Sequence, residues 1–175
     1  MTRSRREFLR VMGVLSTTFL LAACGFRPLY GRRGADPAAA EMAATGIAHV
    51  FNRLDQYLRN DLIERLTPFG EPAQPRYNLS IQVRQSSSAM AIQSNRTITR
   101  FNLFVHASFV LSERGTGETL YSGYARAVGS YDAVRSDFAT LTAEKDSARR
   151  TVREVSEDIH AQLSAFFSRR LAGVQ

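Results

Sequence analysis

The chain has 175 residues, a formal net charge of +7 and a single cysteine. This length suits one domain with a sizeable core, and one cysteine excludes a disulfide within the chain. Removing residues 1–23 takes away four arginines and one glutamate, which leaves a charge of +4. This mild excess favours anionic partners such as phosphorylated lipids. It would suit nucleic acid too, but the N-terminal segment described next predicts export, and for that reason we expect no nucleic-acid partner.

The N-terminal segment 1–23 has the organisation of an export signal peptide. Four arginines precede a short apolar run at 11–23, and small residues end it. About 13 apolar residues are too few for a spanning helix, which needs roughly 20. The sequence LAAC at Leu21–Cys24 resembles a bacterial lipobox, in which a peptidase cuts before a lipid-modified cysteine. We therefore predict that Cys24 is the acylated N-terminus and membrane anchor, against the alternative of a buried cysteine after an apolar helix.

The export route is left open by the basic region of the signal. Arg5 and Arg6 are followed by Phe8, Leu9 and the further basic residue Arg10, which resembles a twin-arginine signal. Such a motif is an address that a receptor reads and not an anchor. The alternative is an ordinary Sec signal whose basic region happens to be rich in arginine.

The mature chain divides into a tether and one domain. Residues 24–45 are rich in Gly, Ala and Pro, which predicts a lipidated N-terminus followed by a flexible tether. A single periplasmic domain is expected over 46–175. It begins with a short apolar strand at 46–51, and a helix follows with Asn52 or Asp55 as its cap. The helical spacing is carried by Leu54, Tyr57, Leu58, Leu62 and Leu66.

Three further strands and a second helix follow in chain order. Residues 77–84 alternate between apolar and polar, which predicts a strand with one buried face. Similar alternation predicts strands at 97–113 and 119–131, joined by a hairpin turn at 115–117. A long amphipathic helix is predicted over 136–171. The order βαβββα predicts an α+β two-layer sandwich, with two helices on one face of a four-stranded sheet. The sheet is expected to be mostly antiparallel, and the helical crossover favours one parallel pairing.

No constellation of catalytic residues is found in the sequence. His49, His106 and His160 have no metal-ligand spacing, and a phosphate loop and a nucleophile elbow are both missing. We expect no enzyme activity, no metal and no cofactor.

A basic, polar region remains as a candidate binding site. Arg84, Arg96 and Arg100 flank the long connection between the second and third strands, and such connections are often binding loops. Arginine suits a bidentate grip on phosphate, and a hairpin would bring these guanidinium groups near one end of the sheet. The alternatives are solvated surface arginines, or pairing of Arg100 with Glu113 or Glu118.

The octet CGFRPLYG at Cys24–Gly31 is similar to the start of mature members of the LptE family of lipopolysaccharide-assembly lipoproteins. Weaker agreement comes from 60–62, from 99–100 and from the Arg-rich C-terminal helix. The resemblance implies helices packed on a four-stranded sheet, no catalysis, and a plug within the lumen of the outer-membrane β-barrel LptD. It also implies that the chain binds lipopolysaccharide and assists assembly of the barrel. The twin-arginine-like signal departs from the family, whose members mostly look like Sec cargo.

The resemblance also sets the expected location and ligand. Gly25 follows the lipidated cysteine, where Asp would retain a lipoprotein in the inner membrane, so we expect lipid anchoring at the periplasmic face of the outer membrane. Lipopolysaccharide bears phosphates, which makes it the expected ligand of Arg84, Arg96 and Arg100. A periplasmic carrier of a lipid or small ligand is the alternative function, and a hydrolase is a third.

Overall fold

The structure, a computed structural model, describes residues 37–92 and 98–173. The signal segment, the octet beginning at Cys24, and Arg96 lie outside these ranges. The predictions that concern them therefore stay predictions.

The first element is a helix that the sequence did not predict. Helix α1 spans Pro37–Ala43 and lies within the segment 24–45, for which a tether was expected. Alanine favours the helix, and proline at its first position costs no hydrogen bond there. Ala38 and Met42, one turn apart, are buried in the hydrophobic core. The folded part of the chain therefore includes residues that precede position 46.

Four strands form a mixed sheet in the order β1-β2-β3-β4. They are β1 (Thr45–Ile47), β2 (Tyr77–Ile92), β3 (Ile98–Glu113) and β4 (Thr119–Asp132). β1 pairs with β2 in parallel, and the other two pairings are antiparallel. The predicted α+β sandwich is confirmed, although the first strand is shorter than the predicted 46–51.

Two longer helices cover one face of this sheet. Helix α2 spans Arg53–Leu66 and follows Asn52, whose side chain makes no capping hydrogen bond. Helix α3 spans Asp137–Ala172, and the hydroxyl of its N-cap Ser136 accepts a hydrogen bond from the amide of Ala139. Within the described ranges, no helix combines the length and apolar character that crossing a membrane requires.

Helices α2 and α3 run parallel, side by side. Arg149 of α3 donates a 2.9 Å hydrogen bond to the hydroxyl of Tyr57, and its guanidinium lies 4.8 Å from the ring centroid. Eight residues further along both helices, Arg65 pairs with Glu157 at 2.9 Å. Both helices therefore begin at the same end of the sheet.

The layer between sheet and helices is filled by apolar side chains. Burial of this surface is the main force that holds the two layers together. The apolar side chains that are completely shielded from water belong to α2, β2, β3 and α3: Leu58, Leu62, Leu79, Leu103, Val105, Ala107, Leu111, Val155, Ile159 and Leu163.

One buried carboxylate fixes α2 against the sheet. Asp55 is 7% exposed, and its Oδ1 accepts a 2.7 Å hydrogen bond from the backbone amide of Val83. β1 pairs only with Tyr77–Leu79, so no strand among the described residues adjoins the outer edge of β2 beyond Leu79. Asp55, which the sequence offered as a helix cap, instead satisfies a donor of that free edge.

The expected long binding loop between the second and third strands is mostly strand. β2 continues to Ile92, and its pairing with β3 extends from the pair Tyr77–Glu113 to the pair Ile92–Ile98. Ser86, Ser87 and Ser88 thus belong to a long hairpin, because β3 offers backbone partners to a polar sequence that is not strand-like by itself.

Candidate ligand-binding surface

The face of the sheet opposite the helices carries the candidate site. We call this the open face; it is formed by the even-numbered residues of β2 from Asn78 to Ser88, of β3 from Arg100 to Ser112 and of β4 from Ser122 to Asp132, since side chains alternate along a strand. Most of its side chains are polar and exposed, with serine the most frequent type: Ser80, Ser86, Ser88, Ser108, Ser122 and Ser130.

Three basic side chains form a row across the open face. Arg84 lies opposite His106, which in turn lies opposite Arg126. Neighbouring strands are about 4.8 Å apart, so the two arginine backbones are separated by about 10 Å. All three side chains are exposed. No residue within the described ranges forms an ion pair with Arg84 or Arg126. Both guanidinium groups are therefore available to an external anion.

Apolar side chains flank this row. Phe104 and Val128 form the adjoining row on one side, and Tyr124 lies two residues from Arg126 on the other. Val128 and Tyr124 are 54% and 69% exposed. Among the described residues of the open face, Asp132 is the one acid. At the edge of this face Glu154 of α3 lines a pocket with Val128 and is accompanied there by Arg150. The surface therefore offers cations and apolar contacts to an anionic ligand, with positive charge in excess.

The structure separates two of the arginines proposed from the sequence. Arg84 and Arg100 are both on the open face, but Arg100 is six residues along β3 from His106, the partner of Arg84. Six residues of strand correspond to about 20 Å. The expectation that a hairpin would bring these guanidinium groups together is wrong, because the hairpin is much longer than predicted.

Arg100 has a partner within the protein. Its Nε lies 3.2 Å from Oδ1 of Asp132, the residue directly opposite on β4. The sequence suggested Glu113 or Glu118 for this role. Both side chains are about half exposed, so the pair contributes only about 0–1 kcal/mol of stability. An anionic ligand would compete with Asp132 for Arg100, whereas no described carboxylate is paired with Arg84.

The three histidines lie on separate elements. His49 follows β1, His106 lies in the basic row, and His160 is in α3. Burial lowers the pKa of His160, and the nearby Arg65 lowers it further. Within the described ranges, no group of three or more His, Cys, Asp or Glu side chains could hold a metal ion.

Sequence reasoning missed Arg126, the second free arginine. Side chains alternate along β4, so Arg126 lies on the face opposite to that of the buried Ala125. That signal was present, but only the register of β4 against β3 shows that Arg126 aligns with Arg84.

Comparisons with known proteins agree with this architecture. The family model for lipopolysaccharide assembly, LptE, matches residues 39–163, which is more than half of the chain. A putative lipoprotein from Caulobacter crescentus has a TM-score of 0.64 at 19% identity, covering 79% of this chain and 98% of its own. Rare lipoprotein B from Shewanella oneidensis has a TM-score of 0.54 at 13% identity, covering 73% and 96%. At such identities the structural likeness shows the fold alone. No curated protein sequence gives a significant match.

Proposed function

We infer that this chain, which belongs to the LptE family of lipopolysaccharide-assembly proteins, is a non-catalytic lipoprotein that binds lipopolysaccharide and works in complex with the β-barrel LptD. The observation that carries the binding proposal is the basic row on the open face. Arg84 and Arg126 are exposed and free of ion pairs with described residues, and apolar side chains stand beside them.

The chemistry of the row suits the phosphates of a glycolipid. A guanidinium group can donate two parallel hydrogen bonds to a phosphate, and a charge-assisted bond contributes roughly 1.5–3 kcal/mol when partly desolvated. His106 between the arginines would add a third donor when protonated. Arg100, also proposed from the sequence, lies about 20 Å along β3 from the basic row and is a second candidate contact, whereas Arg96 is outside the described residues.

The filled core favours this function over that of a lipid carrier. A carrier needs an apolar pocket between sheet and helices that can enclose its ligand. Here the centre of that layer is occupied by side chains such as Leu62, Leu103 and Val155, which are completely buried, so the space described between the layers is an open cleft at their edge and not an enclosing pocket. A closed body with a polar outer face fits a protein that docks inside a polar barrel lumen.

We further propose that the protein is anchored at the periplasmic face of the outer membrane through acylated Cys24. The lipobox sequence at Leu21–Cys24 and the glycine at position 25 support this location. A lipoprotein with three acyl chains is stably held, since two or more chains are needed for lasting attachment.

Binding of purified lipopolysaccharide to the full chain tests the function. The double variant Arg84→Gln, Arg126→Gln should bind about tenfold more weakly or worse. The matched control is Arg169→Gln, Arg170→Gln, which removes the same charge from the last turn of α3. The difference between the two variants should shrink at high salt, because salt already screens such contacts in the wild type.

Two results would contradict the proposal. Equal affinity of both double variants would mean that the basic row does not bind the ligand. Purification of the tagged chain from detergent-solubilised outer membrane should retain a large barrel protein, and consistent recovery of the chain without one would exclude the LptD complex.

A further inference from the structure

A second surface, on the helix side of the sheet, presents apolar side chains that have no role in the proposed function. A cleft of about 240 Å³ lies where α2, α3 and β2 meet. We call this the α2–α3 cleft; its lining residues are Leu54, Tyr57, Gln85, Leu141, Lys145 and Ala148, with Arg53 and Glu144 at the same site. Leu54, Tyr57, Leu141 and Ala148 of the two helices supply its apolar wall.

An exposed apolar strip continues the cleft beyond the start of α2. The helix pairing places Tyr57 beside Arg149, so Arg53 at the start of α2 is level with Lys145. The first two turns of α3 therefore extend past α2. Phe138 and Leu141, three residues apart on the same side of α3, are 80% and 52% exposed there.

The strip has the dimensions of an extended hydrocarbon chain. From Phe138 to Ala148 it covers ten residues of α3, which is about 15 Å along the helix. Its width is that of a single helix face. A protein partner would need a broader surface than this, since specific interfaces bury about 800 Å² on each side.

Positive charge surrounds the cleft. Arg53 and Lys145 line it, and Arg149 stacks over Tyr57 at its wall. The one carboxylate that lines it, Glu144, accepts a 3.1 Å hydrogen bond from Gln85. An occupant with an apolar tail and an anionic head therefore matches the site better than a neutral lipid.

The cleft is close in the fold to the basic row. Gln85 lines the cleft and directly follows Arg84 on β2, and the two side chains point to opposite faces of the sheet. β1 pairs with β2 only as far as Leu79, so within residues 37–92 and 98–173 no strand separates the two sites along this edge. One amphiphile could thus straddle the edge of β2.

We propose that the α2–α3 cleft and the strip at Phe138 and Leu141 bind one acyl chain of the lipopolysaccharide whose phosphates the basic row holds. This inference rests on the proposed function and adds a separate, apolar subsite to it. The subsite selects for acylation, whereas the basic row selects for phosphate.

Because the chain contains no tryptophan, a single substitution creates a unique fluorescent reporter. The full chain with Leu141→Trp, in dilute non-ionic detergent, is titrated with lipid A and with its fully deacylated, phosphorylated disaccharide. We expect a blue shift with lipid A only, as the ring enters an apolar environment. The control is Phe69→Trp, at an 83% exposed position after the other end of α2, and its emission should not change with either ligand.

The affinity of a second variant tests the same contact without a reporter. Leu141→Asp should weaken binding of lipid A about tenfold, since Leu141 would otherwise bury its exposed apolar surface against the chain. Binding of the deacylated disaccharide should be unchanged, and Phe69→Asp should leave both affinities as in the wild type.

The outcomes separate this inference from the function on which it rests. If both ligands bind but Leu141→Trp shows no shift and Leu141→Asp no loss, the cleft inference fails and the basic row stands. If neither ligand binds the wild-type chain, both fail. An equal shift with phosphatidylglycerol in the same micelles would overturn the assignment to lipopolysaccharide and indicate contact with any anionic lipid.

Discussion

The close approach of α3 to β4 depends on Gly129, and its replacement by alanine should measure that dependence. A Cβ at this position would lie 2.8 Å from Oγ of Ser147 and closer still to Oγ1 of Thr151. Both hydroxyls are held in place, since Ser147 donates to the carbonyl of Ser130 and Thr151 to the carbonyl of Ser147. Neither can yield without breaking a buried hydrogen bond.

The expected loss follows from these contacts. Overpacking of this kind costs about 1–3 kcal/mol. Alanine also restricts the unfolded chain, which offsets about 0.4–1 kcal/mol of that cost. A net loss of about 1–2 kcal/mol corresponds to a fall in Tm of about 3–8 °C for a domain of this size.

Thermal unfolding followed by circular dichroism on the full chain tests this reasoning. The control is Gly115→Ala, in the turn after β3, where an added Cβ would meet no atom within 4 Å. We expect its Tm to stay within about 2 °C of the wild type, since surface substitutions cost little. An equal Tm for the two variants would mean that α3 and β4 are not packed as tightly as the structure shows.

Two further predictions concern the anchor and the response to pH. Cys24→Ala should abolish metabolic labelling with a fatty acid, and label that persists on this thiol-free chain would disprove the anchor. Burial lowers the pKa of His160, so the unfolded state binds more protons as pH falls below about 6.5, and the free energy of unfolding should fall with it. His160→Gln should reduce that fall in urea unfolding at pH of about 7.5 and 5.5, and an unchanged fall would assign the pH dependence to other groups.

Much of the fold could be predicted because the patterns that specify it are local. Alternation predicted the third and fourth strands as 97–113 and 119–131, and the structure has them at Ile98–Glu113 and Thr119–Asp132. The apolar stripe of the last helix likewise predicted α3 to within a residue at each end. In each case residues two, three or four apart in sequence share a face, so the sequence itself contains the signal.

The elements that the sequence did not predict depend on distant partners. Helix α1 is short, and its alanine-rich sequence is also typical of a linker. Its structure depends on the packing of Ala38 and Met42 in the core. The serines at 86–88 extend β2 only because β3 supplies backbone partners for them. A short or polar segment has too little preference of its own, and the tertiary contact decides its structure.

The same distinction holds for the candidate sites. The sequence by itself predicted a lipobox at Cys24 and a set of arginines suited to phosphate. The register of three strands decided that Arg84 aligns with Arg126 and that Arg100 pairs with Asp132. Arg84 and Arg126, 42 positions apart, fall in one row because each pairs with His106 of β3. The local pattern does not encode this register, since alternation specifies the face of each side chain but not its partner.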